Sequence, residues 1–325
     1  MEKLKFRCSA LGNVTHIDKA TTITSEQLKE LEGFEDVINA TTWQNLTEKQ
    51  IEELKKLQLL IKLSKPQAKK RDALILKRDT KPTLTEKQEE TRIKLIAKRD
   101  APPKLSQGAK TYVKDVFFGN KFDFQKRFTN KFVQKGNEKE TASMHTLIKF
   151  LGLPMAVKNE KHFENDWIHG TPDLIFKALN FQIDTKNAYY PNALNSFDSE
   201  TDRIYIEQAH GYNWLLGVDH GFVVKILMNM PEHLLEKEAW ILLKEAGLNK
   251  MTDEFMEEVR ELYNFERLPI EDRIKIFRVT TTKEDIERIK LSVELGRDYY
   301  KELESSWKTK NDLNIEFIES LNLAV

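Results

Sequence analysis

Cysteine is almost missing from this chain of 325 residues: Cys8 stands alone. That excludes an internal disulfide and any zinc or iron–sulfur centre built from several thiolates of one chain. Long apolar runs are missing too. None approaches the roughly 20 residues that a spanning helix needs, and the start, Met1-Glu2-Lys3-Leu4-Lys5, lacks the apolar stretch of a signal peptide. A cytoplasmic location without membrane contact is therefore expected. Glycine is scarce, and no Gly-rich phosphate-cradling loop occurs, so ATP is not an expected ligand. The seven histidines show no ligand-like spacing. What is present, 40% hydrophobic residues, suffices to bury a core, and the length suits one large domain with an accessory segment.

Net charge is also absent, 52 Lys+Arg standing against 52 Asp+Glu. The balance hides an asymmetry. Residues 62–135 hold 21 Lys+Arg and 8 Asp+Glu, an excess that the rest of the chain offsets. Solvated helices rich in Lys would explain it; so would an electrostatic footprint for a polyanion, with Lys69, Lys70, Arg71, Lys94, Lys98 and Arg99 in clusters. Just ahead of this region Leu46-Thr47-Glu48-Lys49-Gln50 occurs, and it recurs inside it as Leu84-Thr85-Glu86-Lys87-Gln88. In each copy a Thr precedes a Gln by three residues, a capping box that starts a helix. Helices over roughly 47–63 and 85–99 follow, with a third between Pro66 and Arg78, and the module ends near Ala101-Pro102-Pro103.

Beyond the prolines the pattern becomes α/β. Helices are predicted at 106–118, 138–151, 203–216, 231–247, 252–264 and 282–304, and strands at 171–176, 181–187, 221–228 and 273–279. The division expected is an N-terminal segment over 1–20 packing on the main domain, a basic helical module over 21–105, and the main domain over 106–325.

The informative segment runs from Gly170-Thr171-Pro172-Asp173 to Asp184-Thr185-Lys186. Two strands with a four-residue connection make a hairpin that sets Phe176 opposite Phe181, hence Asp173 opposite Asp184. Gln182, Asp184 and Lys186 share one face of the second strand. Like charges directly opposed destabilise a strand pair, so something must offset them. A hard divalent cation would, since Mg²⁺ is commonly held by one or two carboxylates; alternatively Lys186 neutralises both acids as a surface cluster. A carboxylate-x-Lys triplet alone says little, because Glu53-Leu54-Lys55 also fits on a predicted surface helix. His169, beside the hairpin, reads as a structural loop residue. Glu140 shares a helical face with Met144, Leu147, Ile148 and Leu151, either as an acid among core positions or as a favourable charge in a first turn. Tyr205, Gln208 and Tyr212 share one face of a later helix; such aromatics usually pack, but a buried amide needs hydrogen-bond partners.

Taken in order, Gly136-x-x-x-Glu140, Gly170-Thr171-Pro172-Asp173, Asp184-x-Lys186 and Tyr205-x-x-Gln208-x-x-x-Tyr212 resemble the PD-(D/E)XK nucleases, in the YqaJ and lambda-exonuclease branch of phage recombination nucleases. The resemblance covers about 106–300. It implies a restriction-endonuclease-like α/β core, a mixed central sheet flanked by helices, with the helical module inserted. It also implies one or two Mg²⁺ or Mn²⁺ ions held by Glu140, Asp173, Asp184 and the Thr185 carbonyl, water activation by Lys186, and support from Gln208. The related iron–sulfur nucleases need four cysteines and are excluded. Arg7-Cys8-Ser9-Ala10-Leu11-Gly12 looks like the Arg/Ser segment with which such exonucleases hold a 5′-phosphate, and Tyr205 and Tyr212 would face DNA. The activity implied is a metal-dependent DNA exonuclease acting on duplex ends from the 5′ side. A structure- or sequence-specific endonuclease of the same fold and a non-catalytic DNA-binding replication protein are the alternatives. Partners in keeping with it are DNA ends, a single-strand annealing protein and further copies of the chain, in the host cytoplasm if the protein is phage-encoded.

Overall fold

The computed structural model describes residues 4–18, 23–40, 44–60, 62–124, 129–194 and 200–320. In chain order the elements are β1 (Phe6–Arg7), α1 (Leu11–Val14), α2 (Ser25–Asn39), α3 (Glu48–Leu59), α4 (Lys65–Asp79), α5 (Glu86–Asp100), α6 (Gln107–Lys121), α7 (Lys131–Leu151), β2 (Phe163–Glu164), β3 (Ile168–Gly170), β4 (Leu174–Phe176), β5 (Phe181–Ala188), α8 (Glu200–Leu216), β6 (His220–Leu227), α9 (Glu232–Glu245), α10 (Asp253–Leu262), α11 (Ile270–Arg273), β7 (Ile274–Thr280) and α12 (Lys283–Ser320). The chain forms two compact units, Met1–Ile17 with Leu105–Val325, and Asp18–Lys104. Among the described residues no helix is long and apolar enough to cross a membrane.

The smaller unit is four helices, each begun by a complete capping box: Thr24 with Gln27, Thr47 with Gln50, Ser64 with Gln67 and Thr85 with Gln88. In each, the cap hydroxyl accepts from the Gln backbone N–H while the Gln side chain accepts from the cap N–H, satisfying two donors that a helix start leaves orphaned. Helix α3 packs on α4 and α2 on α5, with Leu46, Leu54, Leu57 and Leu74 forming the apolar centre of the first pair. Helix α2 was not among the expected elements, although Leu28, Leu31, Phe34 and Ile38 recur at helical spacing; it buries only Leu31 among its described residues.

The larger unit is built on a mixed sheet in the order β4-β5-β6-β7, in which β5 and β6 run parallel and the two outer pairs antiparallel. The hairpin register is the expected one, Phe176 against Phe181 and Leu174 against Ile183. The connection closes through a short 3-10 turn over Lys177–Leu179 and Asn180 at φ 59°, a left-handed conformation that Asn tolerates better than most residues. Helix α7 covers one face of the sheet, where Met144, Leu147 and Ile148 meet Leu174, Ile183, Val224 and Ile226. Helix α8, the crossover between the parallel strands, covers the other. There Ala209 packs on Val223 and Val279, and Gln182 Nε2 donates to Asn213 Oδ1 at 3.2 Å. The mixed sheet between helical layers is the architecture expected.

Helix α7 starts at Lys131, earlier than the expected 138, because the Asn130 side chain caps it, accepting from the Val133 N–H at 2.9 Å. Glu140 therefore lies well inside the helix, and a first-turn charge is excluded as its explanation.

A second, three-stranded sheet was not anticipated. Strand β1 runs parallel to β3, pairing Arg7 with His169, and β2 is antiparallel to β3. Phe6, Cys8, Leu11 and Val14 are all buried, in a cluster with Val113, Tyr212 and Val293, so the N-terminal segment is an integral part of the core. Its approach to α8 is close: Gly12 O accepts from Arg203 at 2.7 Å, and a Cβ on Gly12 would lie 2.6 Å from the Ile204 Cα. Because that neighbour is backbone, Gly12→Ala should destabilise the protein by about 1–3 kcal/mol, read as a lower urea midpoint at unchanged slope.

Candidate active site

The hairpin places two carboxylates beside one lysine. Asp184, in the middle of β5, is 1% exposed. Asp173 immediately precedes β4, and its Oδ2 accepts from the Thr185 N–H at 2.9 Å and lies 3.3 Å from the Thr185 hydroxyl. Lys186 Nζ is 2.6 Å from Asp184 Oδ2, a close ion pair. Burial first, then the Asp184 charge, pushes the Asp173 carboxyl up to about 7. Burial also acts to discharge Lys186, but Asp184 and Asp173 together outweigh it and raise its pKa, so the ammonium persists.

This arrangement fits a hard cation. All its donors are oxygens, and two acids share one lysine, so a negative charge remains to be neutralised. Glu140 is placed differently from its two companions. It forms an ion pair with Lys158, although its charge still acts to raise the pKa of both Asp173 and Asp184. Among the described residues no three acids, histidines or cysteines stand close enough to hold one ion together. The segment carrying Lys158 is tied to the hairpin by Asn159, which donates its backbone N–H to Asp173 O at 2.8 Å and its amide to Pro172 O at 2.9 Å. Nothing in sequence spacing could signal Lys158, a loop residue with no periodic partner.

The α8 face continues the cluster. Lys186 Nζ lies 4.9 Å from the centre of the Tyr205 ring and donates to Gln208 Oε1 at 3.1 Å, while Gln208 Nε2 donates to the Tyr212 hydroxyl at 3.0 Å. The buried amide is satisfied at both ends, and Tyr205, Gln208 and Tyr212 form a relay leading away from Lys186. At its far end lies a cavity of about 390 Å³ lined by Arg7, Ser9, His162, His169, Thr171 and Tyr212. The chain thus brings Arg7 and Ser9 close to the relay from a sequence distance of about 200 residues. His169 sits on a strand, facing Arg7 across the parallel pair, and not in a loop; its ring centre is 5.2 Å from that of His162. Burial, then the charges of His162 and Arg7, hold its imidazole below the usual range. A cationic lining with hydroxyls suits an anion. Thr171 lies within the motif that contains Asp173, whereas the His162–His169 contact depends on strand pairing that sequence does not display.

No family model matches this chain, and no curated protein sequence matches it. Solved structures do. A phage-related exonuclease from Haemophilus somnus 129PT superposes with a TM-score of 0.56 at 20% identity, over 94% of this chain and 97% of that one. An alkaline exonuclease (LHK-Exo) from Laribacter hongkongensis has 13% identity over 64% of this chain and 88% of its own, with a TM-score of 0.44, a likeness too loose to carry argument. The first establishes the fold: this chain shares the mixed α/β architecture of that exonuclease along nearly the full length of both.

The raised pKa of Asp173 has a consequence for stability. Its folded-state value, about 7, exceeds the unfolded value near 4, so ionising it costs the folded state. Stability is complete below the unfolded value, falls as pH rises towards about 7, and stays reduced above it. Asp173→Asn, measured in chelator, should therefore be more stable than wild type at pH 8 by up to about 3 kcal/mol. The gain should disappear near pH 4. Thermal melts at the two pH values check it, and a variant no more stable than wild type at pH 8 contradicts the burial of two opposed charges.

Proposed function

We propose that this chain is a metal-dependent DNA exonuclease that hydrolyses phosphodiester bonds at duplex ends, working 5′ to 3′, in phage-type recombination, replication or repair. The observation that carries the reading is the pair Asp173 and Asp184 with Lys186 between them and the α8 relay. Asp173, Asp184 and the Thr185 carbonyl would hold Mg²⁺ or Mn²⁺, with Glu140 available once released from Lys158. The ion would polarise the scissile phosphate and lower the pKa of a water molecule.

The chain's own groups do the rest. Lys186, kept protonated by its two acids, orients the attacking water and stabilises negative charge developing on the phosphate; it does not take the proton. Gln208 fixes the ammonium by accepting from it, and Tyr212 fixes Gln208. No side chain forms a covalent intermediate. The cavity of Arg7 and Ser9 favours an exonuclease over an endonuclease, because a terminal phosphomonoester is an anion that only a strand end presents.

With Mg²⁺, a linear duplex should be degraded and a covalently closed circle should survive; chelation should stop the reaction. Asp184→Asn and Lys186→Ala should each abolish cleavage while DNA binding stays within about tenfold. Turnover by Asp184→Asn would refute the site, and cutting of the circle would convert the reading to an endonuclease. Separately, wild type should prefer a 5′-phosphate to a 5′-hydroxyl end, and Arg7→Ala should erase the preference, as measured by initial rates on the two substrates. Equal rates for wild type would remove the end-binding role of Arg7 and Ser9 and leave the hydrolytic site standing.

A further inference from the structure

Lys186 also lines a second, larger cleft of about 590 Å³, on the side of the sheet where β5 and β6 run parallel. Its floor holds Lys186 and Lys225, which face each other in register on the two strands. Lys225 is buried and paired with Asp202 at 2.7 Å. Its walls are aromatic: Phe132, Tyr190 and Tyr205. Phe132 stands out, being 50% exposed on the first turn of α7, with its ring held edge-on against Tyr189 at 4.8 Å between centres. The Lys131 ammonium lies 5.6 Å from the ring centre, and among the described residues no second ring is stacked on Phe132, which leaves it half open to solvent as a platform.

Asn187 lines the same cleft. Its Nδ2 lies 3.3 Å from both Gly136 O and Ser143 Oγ. Because the Ser143 hydroxyl donates its own proton to Glu140 O at 2.8 Å, it can only accept from Asn187, which fixes the amide's orientation. Among the described residues Asn187 Oδ1 is then left without a donor, but it is shielded from the cleft and contributes nothing to its lining. Both lysines of the floor are already paired with acids, so what the cleft offers a strand is its aromatic wall: a half-exposed ring beside Lys186 suits a planar base.

Resting on the exonuclease reading, we propose that this cleft receives the base of the second nucleotide of the degraded strand, stacked on Phe132, while the terminal nucleotide lies towards the cavity of Arg7. The order follows from the two openings. The relay leads from Lys186 to the anion cavity on one side, and Lys186 itself borders the aromatic cleft on the other. A strand whose 5′-phosphate sits in the first and whose scissile phosphate sits at Lys186 must continue into the second. Stacking on a platform tolerates every base, as an enzyme that degrades arbitrary sequence requires.

The test is single-turnover release of the first nucleotide from 5′-phosphorylated duplexes carrying an abasic residue at position one, at position two, or nowhere. Wild type should bind the position-two substrate about tenfold more weakly than the intact one, in the range of one base–aromatic stack, with little effect at position one. Phe132→Ala should lose that discrimination, binding the intact and position-two substrates alike, and Phe132→Tyr should restore it. Equal affinity of wild type for all three, a penalty at position one alone, or full discrimination retained by Phe132→Ala overturns the proposal. Failure of wild type to cleave any of them, with the ion supplied, overturns the exonuclease reading instead.

Discussion

The placing of two opposed carboxylates, Asp184 buried and Asp173 half-buried, beside one lysine is the constraint around which the larger unit is arranged. An ionised acid in a low-dielectric interior is costly unless paired, and here two acids share Lys186. The surrounding structure supplies what compensation it can. Thr185 donates to Asp173 through its backbone, Asn159 fixes the backbone at Pro172 and Asp173, and Gln208 Oε1 accepts a hydrogen bond from the ammonium. What remains uncompensated is a strongly perturbed Asp173. Such residual cost is tolerated where the chemistry needs it.

The same constraint explains why Lys158 holds Glu140. A third acid within electrostatic reach of the pair would raise its cost further, as its effect on both Asp173 and Asp184 shows. Pairing it with a cation on the neighbouring segment limits that cost while keeping the carboxylate at the site's border. The pair is partly exposed, and exposed pairs hold only weakly, so exchanging Lys158 for a stronger cation demands little energy.

What could be read from sequence was local. The hairpin register followed from a period of two and a short connection, and the capping boxes followed from a hydroxyl and a Gln three residues apart. Thr24 and Gln27, and Ser64 and Gln67, carry the same signal as the two recognised copies, so α2 was legible from its cap and from the spacing of Leu28, Leu31, Phe34 and Ile38. The sharing of one helical face by Tyr205, Gln208 and Tyr212 was likewise a matter of spacing. What sequence could not show was pairing across long separations: β1 with β3, which carries Arg7 to His169; Lys158 with Glu140; and Lys186 with Lys225, whose adjacency exists only because α8 returns the chain in parallel. The start of α7 was misplaced because Asn130 lies ahead of the apolar stripe that marked the helix.

Charge in the smaller unit shows the same difference between composition and arrangement. The excess of basic residues suggests a broad cationic surface, yet Lys70 pairs with Glu53, Arg71 with Asp72, Arg78 with Asp79, and Arg99 with both Asp100 and Glu35. Three of these pairs join consecutive residues in Lys-Arg-Asp triplets, so each Arg has its counter-charge built into the chain. An exposed pair adds little to stability, but beyond roughly 10 Å, the screening length at ordinary salt, its two charges largely cancel. Glu53, the carboxylate of the decoy triplet, is spent in one of these pairs, on a solvated helix. The potential that the unit projects is therefore smaller than its lysine and arginine count, and a polyanion would have to approach within direct contact distance, competing with Asp and Glu for each cation, before the excess could act on it.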